Sequence, residues 1–144
     1  MGTLRDWLLF FHLAAVLVAF VPAVAHVLVI RHAAEAPSTL QRWSAFAARY
    51  DQLIYGPALI VAGGFGIWLV LSEARWDFGQ SWILSALGLW IVMNGLLHGL
   101  VVPGERQMAT GDASGERKVR IGGVLLTLLF LAMLHLMIFK PGLS

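Results

Sequence analysis

The chain has 144 residues, of which 59% are hydrophobic and 12% charged, with a net charge of +2. A typical soluble domain carries about 25% charged residues, so this composition excludes an ordinary soluble fold and points to lipid as the solvent. The absence of cysteine excludes disulfide frameworks, thiolate metal sites, iron–sulfur clusters and cysteine nucleophiles.

Four apolar runs of 19 to 24 residues follow one another, at 7–30, 53–71, 82–102 and 121–139. A helix needs roughly 20 residues to cross the hydrocarbon core, and it satisfies its own backbone groups where water is absent. The intervening loops of 22, 10 and 18 residues predict an all-α transmembrane four-helix bundle, up-down-up-down, in a single domain over 1–144. Residues 21–25 of the first run resemble a small-residue cleavage site behind Arg5. The run nevertheless continues to Ile30 and stops at Arg31, as a membrane span with a charged flank does, so it is read as a span.

Between the first two runs, Pro37 and Ser38 start a helix with Ser38 as N-cap. Leu40, Trp43, Phe46, Ala47 and Tyr50 form an apolar stripe, with Arg42, Arg49 and Asp51 off it. The segment reads either as an amphipathic helix lying in the interface or as an extension of the second span bent near Gly56 and Pro57. Trp76, Phe78 and Trp82 suit an interfacial aromatic belt. Residues 103–114 are polar and glycine-rich and are expected to be the most mobile segment. Arg5, Arg75 and Lys140 fall on the side of the termini, against Arg31, Arg42, Arg49, Arg106, Arg117, Lys118 and Arg120 on the other. The positive-inside rule then puts the first and third loops in the cytoplasm and both termini outside. The positive balance is explained by topology and calls for no nucleic acid.

Of the five histidines, four lie within the spans. His12 and His26 fall on opposite sides of the middle of the first span, roughly 10 Å from it by helical rise. With alternating span direction, His135 joins His12 in the outer half and His98 joins His26 in the inner half. His12 and His26 are 14 residues apart, close to four full turns, so they share a face. Ala15, Ala19 and Ala23 lie between them, leaving room for a flat macrocycle or a neighbouring helix. This 14-residue bis-histidine spacing resembles the arrangement in dihaem b-type cytochromes, and the resemblance implies one or two b-type haems, one per leaflet, with two imidazoles on each iron. Asn94, one turn before His98, is a candidate hydrogen-bonding partner for a ligand histidine. Arg31, Arg49 and Arg120 are candidates for haem propionates. His32 is read as a solvated flank.

Plainer readings stand beside this one. Gly95 and Gly99 around His98 match a small-residue helix contact, and membrane histidines also bond across bundles. Met133 and Met137 share a face, which suits copper(I) or simple packing.

Phe11-His12 early in span one, residues 31–35 (Arg-His-Ala-Ala-Glu) at its end, Tyr55-Gly56-Pro57 opening span two, and Trp82 then His98 in span three together resemble the HemJ-type membrane proteins. The resemblance implies a four- or five-helix bacterial inner-membrane protein that binds haem b, in a family whose activity is protoporphyrinogen IX oxidation. CopD copper-resistance proteins share the first-span histidine, which implies copper as an alternative ligand. Residues 137–141 look closer to a neighbouring bacterial four-helix family of unknown function. Where HemJ proteins carry a lysine at the start of span three, this chain has Ala86.

The chain contains no GxSxG, Walker or HExxH motif, and its eight carboxylates stand in loops and flanks, away from any acid–base pair in the membrane. The expected function is electron transfer through haem b, to or from quinone or a redox partner protein, with a homodimer as one way to complete ligand pairs. Any catalysis would be that of a membrane oxidoreductase. The alternatives are a HemJ-like oxidase, CopD-like copper handling and a cofactor-free accessory subunit.

Overall fold

The computed structural model describes residues 2–33 and 37–141, with 21–33 and 37 described as backbone only. The described residues form four helices and no strand. They are α1 (Leu4–Ala33), α2 (Ser38–Ser72), α3 (Ser81–Ala109) and α4 (Ser114–Phe139). Helices α2, α3 and α4 are each long and apolar enough to cross a membrane. The all-α bundle expected from the hydropathy pattern is therefore the observed fold.

Thr3 caps α1. Its backbone N–H and its hydroxyl both donate to the Asp6 carboxylate at 2.8 Å, which occupies donors left over at a helix start. Glu73 ties the same end of the bundle together by pairing with Arg5 at 2.7 Å and with Arg75 at 3.6 Å.

Two proline steps shape the middle helices. Pro57 and Pro103 lack the N–H that an α-helix needs, and their rings crowd the carbonyl four residues back. In both helices the preceding turn widens. Residues Asp51–Tyr55 and Leu97–Val101 are π-helical, and the Gly56 and Val102 N–H groups reach the carbonyls of Asp51 and Leu97. Each helix continues as α-helix beyond its proline. The two π turns face each other, for a Cβ placed on Gly56 would lie 2.8 Å from Cε1 of His98.

Of the two readings of residues 38–50, the structure takes the extension of the second span, since they run through the π turn into it. Its buried face is not the aromatic stripe. Ser44, Ala48 and Asp51 are buried, whereas Trp43 and Phe46 are exposed. Small side chains let this segment lie close against residues 102–109, and the aromatics are left facing outward. The segment 103–114 is likewise not a mobile loop. Helix α3 continues to Ala109 with Gly104, Glu105 and Met108 buried. Glycine serves close packing here, because Gly115 of α4 sits directly on the Gly104 carbonyl. The connecting turn is confined to 110–113, where Gly111 takes a φ of +85°.

Helix α1 packs along α2, and α3 along α4. The two pairs meet most closely where residues 38–50 lie against 102–109. A buried cluster of Ala19, Tyr55, Leu59, Met93, Leu97, Val101, Val102 and Leu126 joins all four helices just above that junction. Many large apolar side chains point outward, Trp7, Leu53, Leu71, Ile91 and Ile138 among them, which suits a surface solvated by lipid.

The Gly104–Gly115 crossing predicts an asymmetry among glycine variants. Gly115→Ala is expected to lose about 1–3 kcal/mol through overpacking. Gly95→Ala, where an added Cβ meets nothing within 4 Å, is expected to be neutral or slightly stabilising because alanine is the better helix former. Thermal unfolding of both variants in detergent checks the contrast.

Candidate functional site

Away from their tight junction the helix pairs separate, and a cavity of about 310 Å³ opens between them towards the end that carries the termini. All four helices line it, with an almost entirely apolar wall that includes Trp76, Trp82 and Trp90. Its polar groups are few, and the principal ones are His12, Tyr55 and Lys140. Small, mostly apolar chambers with a few placed polar groups are the usual form of a ligand site.

Glycine explains how two of these side chains are held. Gly63 and Gly66 expose the backbone of α2 on the side facing the cavity. The Trp90 ring fills the space where a Gly63 side chain would stand, and its Nε1–H donates to the Leu59 carbonyl at 2.8 Å. The His12 ring lies against Gly66, 3.3 Å from an added Cβ. Its Nδ1 is 2.8 Å from the Ala62 carbonyl oxygen. A carbonyl only accepts, so Nδ1 carries the proton and a neutral ring keeps its lone pair on Nε2. No hydrogen bond from a described residue engages Nε2.

Lys140 stands at the mouth. It ends α4 in the left-handed conformation, with φ +42°, and its N–H closes the helix on the Leu136 carbonyl at 3.0 Å. Its Nζ lies 4.8 Å from the Trp76 ring centroid and 5.8 Å from that of Trp82, a cation–π arrangement on both rings. It is the cation on the cavity wall among the described residues.

The other residues singled out from the sequence lie elsewhere. His135 is exposed, with its ring 4.6 Å from that of Phe139, and does not line the cavity. His98 is exposed in the second π turn, above Gly56. The Asn94 amide donates to the Trp90 carbonyl of its own helix at 2.9 Å. Arg49 and Arg120 are exposed. The side chains of His26 and Arg31 lie outside the described residues. The described residues hold no group of three or more histidines and carboxylates able to bind a metal ion.

Two buried carboxylates modify the reading that all acids stand in loops. Asp51 and Glu105 are 6% and 0% exposed, on the two helices that pack together at the tight junction. The available signal was spacing, since Ser44, Ala48, Asp51, Tyr55 and Leu59 recur every three or four residues on one helix face.

Searches against protein families, curated proteins and solved structures find no match to this chain.

The Trp90 contact can be tested directly. Trp90→Phe keeps an aromatic ring but loses the bond to Leu59, and is expected to cost about 0.5–1.5 kcal/mol. Gly63→Ala is expected to cost more, since its methyl group displaces the ring itself. Detergent melts of the two variants rank them.

Proposed function

We propose that the chain is a haem b protein of the bacterial inner membrane that passes single electrons, with His12 as an iron ligand. The observation that carries this reading is the state of His12. It stands in an apolar cavity, its Nδ1–H is fixed by a backbone carbonyl, and its Nε2 lone pair is uncommitted. Metal-binding histidines are typically oriented in this way, by a carbonyl or carboxylate on the other ring nitrogen.

The chemistry of the remaining cavity residues suits the group. Trp82 and Trp90 supply aromatic, apolar lining, and Lys140 supplies a cation for an anionic edge. Held there by His12, haem would supply one-electron chemistry tuned by its ligands and by burial. Ala86 lines the same cavity and is buried, so an apolar side chain stands where HemJ-type proteins have lysine. This favours electron transfer over protoporphyrinogen oxidation. Quinone or a redox protein would be the partner. His26 and His98, with Arg31, Arg49 and Arg120 nearby in sequence depth, remain the candidates for a second haem, and a homodimer could complete its ligands. The Lys and Arg asymmetry puts both termini in the periplasm.

Copper handling is the second reading, because Met133 and Met137 line the cavity together with His12 and thioethers suit copper(I). Elemental analysis of purified protein separates iron from copper.

Purified protein is expected to be red, with a Soret band and an α-band that sharpens on reduction with dithionite. His12→Ala is expected to lose most of this absorbance while remaining folded. Full Soret absorbance in that variant would remove His12 from the ligand set, and colourless unsubstituted protein would favour the cofactor-free accessory subunit.

A further inference from the structure

The cavity contains His12 but not His135, so a second side chain on an iron held by His12 would be drawn from the rest of the cavity wall. Helix α4 presents Met133 and Met137 to the cavity, one turn apart. His135 lies two residues from each. Two residues turn a helix by about 200°, so a wall built from Met133 and Met137 leaves His135 on the opposite face. Its exposure and its ring contact with Phe139 agree with that placement.

The level of each residue follows from one contact. The rings of Phe20 in α1 and Phe130 in α4 stack with centroids 3.9 Å apart. From there both helices can be followed to the end that carries the termini. His12 lies eight residues along α1 and Met137 seven residues along α4. By helical rise these are about 12 and 11 Å. Met133 lies three residues along, about 5 Å by the same rise. His12 and Met137 therefore stand at one height, on different helices, facing one cavity.

We infer that the thioether of Met137 is the second axial ligand to an iron held by His12, making a His–Met centre in place of the bis-histidine one. The inference rests on the haem reading above and sharpens it. A thioether stabilises ferrous iron relative to imidazole, so such a centre has the higher reduction potential. It would accept electrons from a reduced donor such as a quinol more readily than a bis-histidine haem would.

Carbon monoxide binding by the dithionite-reduced protein tests this, because it requires an open iron position. Unsubstituted protein is expected to be low-spin and inert to carbon monoxide. Met137→Leu, which keeps the side-chain volume, is expected to become high-spin and to bind carbon monoxide. Met137→His is expected to restore the low-spin, inert state with a lowered midpoint potential. His135→Ala is expected to leave the spectrum unchanged. Loss of colour in Met137→Leu supports the assignment if Met137→His restores it and opposes it otherwise. The assignment is overturned if coloured unsubstituted protein binds carbon monoxide, if Met137→Leu stays low-spin, or if His135→Ala opens the iron. Colourless unsubstituted protein overturns the haem reading itself, a result distinct from all of these.

Discussion

The structure depends on how two prolines are accommodated inside membrane helices. A proline deprives the ladder of one N–H and presses on the carbonyl four residues back, and in lipid no water relieves either problem. Pro57 and Pro103 are both preceded by a π-helical turn, in which the Gly56 and Val102 N–H groups reach back five residues. A π turn inserts extra chain and so rotates one part of a helix against the other. Below the turns, Asp51, Glu105 and small residues face inward at a close junction; above them, the cavity opens. His98, within the second turn, lies against the glycine that ends the first. Both helices meet the same covalent constraint, and the two solutions fit against each other.

Above that junction, close backbone approach replaces the hydrophobic effect as the organising force. Lipid is as apolar as leucine, so helices gain little by hiding leucine from it. The described contacts instead join side chains to exposed backbone. Trp90 and His12 each engage a carbonyl of α2 beside a glycine, and Gly122 receives the Val101 side chain. A hydrogen bond in an apolar setting is strengthened by the low local dielectric, and the one to the Ala62 carbonyl holds His12 with its proton on Nδ1.

The two ends of the bundle are closed by different chemistry. Arg5, Glu73 and Arg75 form an ion cluster where the termini lie. Lys140 on Trp76 and Trp82 closes the cavity's mouth. At the opposite end, Lys118 donates to the Gln107 side chain at 2.9 Å across the α3–α4 turn. Exposed ion pairs contribute little to stability.

Hydropathy alone determined the four helices, because a run of about 20 apolar residues has few alternatives in lipid. Of the small residues spaced along α1, Ala19 is buried on the cavity wall, while the side chain of Ala23 lies outside the described residues. The extension of α2 was legible only as one of two options. Whether an amphipathic segment lies in the interface or packs on a neighbour depends on a partner distant in sequence, here residues 102–109. The glycines of 103–114 suggested mobility because composition cannot distinguish a flexible turn from a close helix crossing. Helical spacing assigns His12 and His135 to the same half of the bundle, but which way each faces is not local arithmetic. Only the way α1, α2 and α4 rotate against one another puts His12 and Met137 on the cavity and leaves His135 outside it. Rotation about a helix axis is fixed by what the helix packs against, and that is decided by the tertiary structure.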